Sequence, residues 1–362
     1  MVVFYHYALG GGLPALVNKV FSLSWSGVDL FFILSGFLIG GILLDQRQAE
    51  NYFKTFYLRR VCRIFPLYYL WLALFVLLPW LLPALHSQKW IAAIFAQDIP
   101  RWCYASFLQN IYSARTEALT SHWLEVTWSL AVEEQFYLLL PLVIWLVPVK
   151  RLPPVLAILI LCAPLFRLYL YLHDFHASAA TYQLLPCRAD ALLMGVACAF
   201  GLRQERLRRW LQNNQGWLRA ALAVLLAGVG YLTVYGNSGN NGFDLEFWGY
   251  SWLALFYACL LLVVITSPRG IIVSVMRLPP LRHLGTIAYG VYIMHMAIVS
   301  LAHGLVLGNK PLIYNLPDAI VTLTALLVTL SLAALSWHFF ERPIIRWGHS
   351  FSYTNPNPQP SE

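Results

Sequence analysis

Apolar residues run along this chain in stretches of about twenty, and polar and basic residues gather between them. Segments 27–44, 64–82, 127–147, 154–172, 186–201, 218–235, 247–266, 284–307 and 316–339 each come close to the length of a full span, which needs about 20 residues. A shorter run, 1–10, precedes Gly10-Gly11-Gly12. Lipid offers the backbone no hydrogen-bond partner, so only helices or closed barrels cross it. The runs are continuous rather than alternating, which selects helices. The pattern predicts an all-α, polytopic membrane helical bundle of about ten transmembrane helices.

Composition agrees. The chain of 362 residues is 59% hydrophobic and 11% charged, with a mean hydropathy of +0.63, whereas soluble domains carry about 25% charged residues. The net charge of +8 would raise nucleic acid as a partner in a soluble protein. Here the basic residues are loop residues and report topology. Of the 24 Lys and Arg residues, 17 fall in one alternating set of loops and 5 in the other, with Arg167 and Arg188 inside apolar runs. By the positive-inside rule this predicts N-in, C-in. Nucleic acid is excluded as a partner. The longest loop, Pro83–Val126, then lies outside. Its Trp90, Trp102, Tyr104, His122 and Trp123 suit an interfacial or re-entrant structure. The six cysteines form no C-x-x-C pair and read as small core residues, so no metal is expected. Residues 1–345 read as one membrane domain and 346–362, ending SYTNPNPQPSE, as a disordered cytoplasmic tail.

Polar groups inside apolar runs carry the chemical information, because a charge at the centre of a membrane helix costs roughly 2.5–3.5 kcal/mol on insertion scales. The stretch TWSLAVEEQFY places Glu133 about six residues into its span, roughly 9 Å deep at about 1.5 Å per residue. Glu134 points about 100° away around the helix. His6 lies at a similar depth near the outer end of the first run, and neutral imidazole suits a general base. An interfacial histidine explains His6 equally well. In GVDLFFILSGFLIG, Asp29 is an outer carboxylate, while Ser35 and Gly36 read as packing residues. Arg59, Arg60 and Arg63 anchor the inner face, and Arg60 and Arg63 share a helix side suited to clamping phosphate. Arg188 and Asp190 are candidate partners for each other or for Glu133. His295 lies mid-span, and Glu341 reads as a structural ion-pair residue.

Five motifs occur in order: His6, Gly27–Ile39, Arg60–Pro66, Trp128–Tyr137 and Glu341–Pro343. Together they resemble the acyltransferase-3 family of integral membrane O-acyltransferases over nearly the whole chain, in its stand-alone form without a fused extracellular hydrolase-like domain. The resemblance implies transfer of an acyl group, usually acetyl, from cytosolic acetyl-CoA to a hydroxyl on an extracytoplasmic glycan: O-antigen, exopolysaccharide or peptidoglycan. Within the family a small molecule or a lipid is an alternative acceptor. It implies His6 and Glu133 as catalytic residues, Glu133 orienting the imidazole, with Arg60 and Arg63 binding acyl-CoA. Asp29, Ser35, Arg188 and His295 are possible support, and a transient acyl group on His6 or Ser35 is an alternative to direct transfer. Family members carry an Arg or Lys upstream of the histidine on the same helix. Only Met1–Tyr5 precede His6 here, so the expectation is a first helix that starts before Met1. A transporter or flippase of lipid-linked sugars also accounts for ten spans with buried charge. The inner arginine cluster and the lack of internal repeats weigh against it. The expected location is the cytoplasmic membrane.

Overall fold

Continuous apolar sequence leaves the backbone no partner but itself, and the chain answers with helix throughout. A computed structural model describes residues 1–8, 23–81, 89–173, 177–235, 244–267 and 270–354. The helices are α1 (Val2–Ala8), α2 (Gly27–Asp45), α3 (Tyr52–Leu81), α4 (Lys89–Phe95), α5 (Arg101–Ala105), α6 (Gln109–Thr116), α7 (Thr127–Leu146), α8 (Leu152–Leu172) and α9 (Ala177–Gln183). They continue as α10 (Leu185–Arg203), α11 (Glu205–Asn213), α12 (Gln215–Tyr235), α13 (Tyr250–Thr266), α14 (Ile271–Met276), α15 (Pro279–Val306), α16 (Leu316–Ser336) and α17 (Arg342–His349). No strand occurs among the described residues, and nine helical stretches there are long and apolar enough to cross a membrane. Each overlaps one of the nine longer runs of the sequence, with the second starting earlier, at Tyr52, and the last ending later, at His349. The tenth run is represented by the seven-residue α1. The Gly10–Gly12 break lies outside the described residues.

Helix starts follow local chemistry. Proline occupies the first turn of α10, α15, α16 and α17, where no backbone N–H is needed. The Asn315 side chain caps α16 by accepting from the Asp318 N–H at 2.9 Å.

The centre of the bundle is the contact of α2 with α10. A Cβ on Gly36 would overlap the Leu192 carbonyl, and one on Gly195 would overlap the Ile33 carbonyl. Two glycines therefore let two backbones touch, as small residues do between membrane helices. Gly36 is a packing residue, as its sequence context suggests.

Beside this contact lie two buried ion pairs. Arg188 donates to Asp29 at 2.5 Å, and Arg167 to Asp190 at 3.0 Å. Ser251 donates to Asp190 at 2.6 Å and accepts from Arg167 at 2.7 Å. Arg188 also stacks over Tyr250, 4.2 Å from the ring centroid. This corrects the expected pairing: Arg188 takes Asp29, and Asp190 takes Arg167. Each pair joins residues from different helices, so the match is a property of packing that chain order does not reveal. Two guanidiniums and two carboxylates neutralise each other where a lone charge would be severely penalised.

The long segment between α3 and α7 folds into α4, α5 and α6 and packs against α3 and α7. Tyr68 donates to the Tyr104 carbonyl at 2.8 Å, and the Trp71 and Trp123 rings stack with centroids 4.6 Å apart. Gln109 Nε2 donates to the Thr127 carbonyl at 2.9 Å. The stretch expected to be a loose tail is ordered where described. Arg346–His349 are helical, Arg59 donates to the Phe351 carbonyl at 2.7 Å, and Asn51 accepts from the Thr354 N–H at 2.9 Å. The remainder, 355–362, lies outside the described residues. Glu341 is buried and accepts from Ser336 at 3.0 Å, a hydrogen bond in place of the expected ion pair.

Candidate active site

α1 is short but firmly seated. Tyr7 donates to the His295 carbonyl at 3.0 Å and pairs with Thr329 Oγ1 at 3.2 Å. One residue earlier, His6 Nδ1 lies 2.8 Å from His295 Nε2. The two rings are nearly parallel, with centroids 5.1 Å apart. His295 is wholly buried in α15, and its Nδ1 lies 2.7 Å from the Tyr292 carbonyl.

This chain of contacts fixes the protons. A backbone carbonyl only accepts, so His295 Nδ1 carries the hydrogen. In the neutral ring Nε2 is then a bare acceptor, and His6 Nδ1–H donates to it. His6 Nε2 is left with its lone pair, on a ring that lines a cavity of about 220 Å³ with Tyr5, Trp25, Glu125, Trp128 and Tyr182. The arrangement is that of a general base oriented from behind, with an imidazole in the place a carboxylate holds in a serine-protease triad.

The expected His6–Glu133 pair is not made. Glu133 accepts from Ser35 Oγ at 2.6 Å and from the Tyr137 hydroxyl, and these two hydroxyls lie 2.7 Å apart. Similar depth in the membrane did not mean a shared face: Glu133 follows the α2 side, and His6 follows α15. Ser35 is thus a hydrogen-bond partner of Glu133 and not packing alone. Glu134 lines neither cavity described here.

Glu133 belongs to a second cavity of about 390 Å³ that also holds Ser35, Tyr137, Arg60 and Arg63. Both guanidiniums are within electrostatic reach of its carboxylate. Arg63 also lies over the Trp337 ring, 5.4 Å from its centroid. Val2, Val28 and Tyr292 line both cavities. The arginine end and the histidine end are therefore neighbours across one thin wall. Tyr292 ties that wall together. Its hydroxyl lies 2.5 Å from Ser129 Oγ and donates to the Val126 carbonyl at 3.1 Å, while its carbonyl orients His295.

Asp29 and Arg188 are consumed by their mutual ion pair. Two further residues enter the site that sequence reading passed over. Tyr292 sits one helical turn before His295, a spacing that would have found it. Glu125 sits in a loop, where no periodicity marks it. Its carboxylate pairs with His122 Nδ1 at 3.3 Å, and both side chains are nearly half exposed. Burial pushes the Glu125 carboxyl up, but the hydrogen bond from His122 and the charges of His6 and His122 outweigh it and hold the group below its usual range. The same hydrogen bond holds His122 above the ordinary imidazole value.

A bundle with nine membrane-length helices among the described residues, and a histidine backed by a second imidazole on one of two neighbouring cavities, is the class that fold and site define. Residues 1–338 match the family described as an acyltransferase domain, and the chain belongs to that family. Among curated proteins it is 30% identical over 338 residues to a putative peptidoglycan O-acetyltransferase, YrhL, of Bacillus subtilis, covering 90% of this chain and 51% of that protein. It is 30% identical over 356 residues to the peptidoglycan O-acetyltransferase OatA of Listeria monocytogenes, covering 92% and 54%. It is 26% identical over 341 residues to a putative O-acetyltransferase, SACOL0978, of Staphylococcus aureus, covering 89% and 53%. The chain thus spans about half the length of these relatives. No solved structure matches it.

Proposed function

We propose that this protein is a membrane O-acetyltransferase of the cytoplasmic membrane, moving an acetyl group from cytosolic acetyl-CoA to a hydroxyl of an extracytoplasmic glycan. The observation that carries this reading is the His6–His295–Tyr292 relay, which leaves the His6 Nε2 lone pair free on a ring lining the cavity next to the one that holds Arg60 and Arg63. The curated relatives, two of them named for peptidoglycan, favour a cell-wall glycan as acceptor.

The donor's phosphates sit at Arg60 and Arg63, on the cytosolic face, where planar guanidiniums suit phosphate oxygens. The pantetheine arm follows the cavity past Ser35 and Glu133 to the wall at Val28 and Tyr292. His6 Nε2 takes the proton of the acceptor hydroxyl as its oxygen attacks the thioester carbonyl. The C–O bond forms, the C–S bond breaks, and the proton passes from imidazolium to the departing thiolate. His295 keeps the imidazole in the required tautomer and orientation. Glu133 belongs to the donor side, where it organises Ser35 and Tyr137 beside the two arginines. In this reading only the acetyl group crosses the membrane.

The test is the acetyl ester content of envelope glycan in cells expressing wild type or His6→Ala. The variant is expected to lose the esters that wild type adds, and equal content in both would overturn the assignment.

A further inference from the structure

α12 stands away from the bundle. It packs mainly on α13, and Trp217, Val224 and Leu226 are exposed along its other side. Between α12 and α10 lies a cavity of about 440 Å³ whose walls include Ala197, Cys198, Leu207, Ala221, Leu225 and Leu262. That volume falls within the range of roughly 300–1,000 Å³ usual for ligand sites. Every lining residue is Gly, Ala, Leu, Met or Cys, so the wall has no charge, amide or hydroxyl with which to hold water. The gap is braced against collapse. At one end of α12, Gln215 Nε2 donates to Thr266 Oγ1 at 2.8 Å, and Gln215 Oε1 accepts from Ser267 at 2.6 Å. Further along, Trp252 Nε1 donates to the Leu225 carbonyl at 2.9 Å, and the same ring lies so close to Gly228 that a Cβ there would overlap it. Both braces tie α12 to the α13 side, so α12 cannot tilt onto α10 without breaking them. A dry void left empty is destabilising in proportion to its volume. An apolar chain from outside fills this one.

The rim of the cavity says what that chain carries. Leu202, Leu207 and Leu218 line the cavity, and Arg203, Arg206, Arg208 and Arg219 are their immediate neighbours in the chain. Residues 203–219 hold five arginines against one acid, Glu205. Arg203 is taken by Asp45 at 2.7 Å, and Glu205 is shared by Arg208 and Arg209. Arg206 and Arg219 are exposed and make no ion pair among the described residues. A basic rim on an apolar slot is complementary to a hydrocarbon chain with an anionic head. We propose that this cavity binds an anionic glycerophospholipid of the surrounding leaflet, with one acyl chain between α10 and α12 and its phosphate on Arg206 and Arg219. α11 serves both halves of the site: Leu207 and Leu211 face the cavity, and Arg206 and Arg208 flank Leu207. The site shares no residue with the two cavities assigned to transfer. Lipid binding here is independent of the function proposed above.

The test is native mass spectrometry of the purified full-length chain, titrated in detergent with dioleoyl phosphatidylglycerol or dioleoyl phosphatidylcholine. The two lipids share their acyl chains and differ in headgroup charge. Wild type should bind phosphatidylglycerol more tightly, by about fivefold for each of the two arginines. Arg206→Gln/Arg219→Gln should lose that preference and keep its affinity for phosphatidylcholine. Ala221→Phe puts a ring into the cavity and should weaken phosphatidylglycerol binding by about tenfold or more, since each methylene kept out of the cavity is worth about fourfold. The thermal transition of each variant is compared with that of wild type. Both arginines are exposed, so their variant tests the site even where Ala221→Phe fails to fold. Equal affinity of wild type for the two lipids would overturn the proposal. So would a preference that survives the loss of both arginines, or unchanged phosphatidylglycerol affinity in a folded Ala221→Phe protein.

Discussion

His6 Nδ1 meets His295 Nε2 at 2.8 Å across 289 residues of chain. Neither ring has a carboxylate as its hydrogen-bond partner in this contact, so the orienting group of the proposed base is itself an imidazole, locked by the Tyr292 carbonyl. General bases contribute about 10²–10⁴-fold, and a positioning residue supplies part of that. His295→Ala should lower kcat by about tenfold or more with a smaller change in acceptor KM. His295→Gln, which offers an amide oxygen to His6 Nδ1–H, should recover part of the loss. In a His6→Ala background the His295 substitution should add little, since the two act as a unit. Additive losses in the double variant would remove the positioning role.

At the other end, Arg60 and Arg63 line the proposed donor cavity together. Arg60→Ala/Arg63→Ala should weaken acetyl-CoA binding by about tenfold or more, since hydrogen bonds to charged groups are worth about 1.5–3 kcal/mol each. The defect should appear for acetyl-CoA and for free coenzyme A alike, because both carry the phosphates. Titration of the purified protein with coenzyme A measures it, and unchanged affinity would rule out the clamp.

The His122–Glu125 pair predicts a pH dependence. The folded protein holds His122 above its ordinary value, so its contribution is present at low pH and is lost as pH rises through the raised value. It holds Glu125 below its ordinary value, so that contribution is present at neutral pH and is lost as pH falls through the lowered value. The ion pair therefore spans the neutral range, with Lys310 and His6 the other charges acting on it. In His122→Ala the carboxylate loses its hydrogen-bond donor and the positive charge beside it, so the group titrates higher. The acid limb of the transfer profile should move to higher pH. A limb that stays in place would show that Glu125 does not govern it.

Breaking a buried ion pair is more damaging than removing it whole. Arg188→Met leaves Asp29, itself 1% exposed, without its partner, and should destabilise the protein by about 3–5 kcal/mol. Asp29→Leu/Arg188→Met should recover a large share of this. Thermal unfolding in detergent, followed for both variants, decides it. Equal destabilisation by the single and double changes would mean that the guanidinium's stacking on Tyr250 matters more than its charge.

Gly36 allows no side chain, because a Cβ would run into the Leu192 backbone. Gly36→Ala should push α2 and α10 apart at about 1–3 kcal/mol, the usual penalty for overpacking. Because α2 carries Ser35 and α10 carries Arg188, activity should fall together with the melting temperature. A stable, fully active Gly36→Ala protein would show that the two helices can separate freely.

Much of this was legible in advance, and the reasons differ by feature. The nine long helices follow from apolar runs matched to bilayer thickness, a constraint that acts locally on each segment. The penalty on buried charge, and a motif order that survives in one dimension, singled out His6, Glu133 and the Arg60–Arg63 pair as candidates. Pairing was not legible in this way. Glu133 and His6 share a depth yet answer to different helices, and Arg188 and Asp190, two residues apart, turn to different partners. Glu125 was invisible because a loop residue carries no periodic signature. Its significance comes from the cavity it shares with His6.

The sequence by itself determined an all-helical membrane bundle and its family, because the hydrophobic length of each segment and the residue order of each motif are properties of a single strand of chain. Only the tertiary structure decided that His295 and not Glu133 stands behind His6, and that Glu133 shares a cavity with the arginines, Ser35 and Tyr137. Those are relations between side chains on different helices. They are set by the rotation of each helix about its own axis, which packing fixes through contacts such as Gly36 against Leu192 and which no periodicity along one segment can specify.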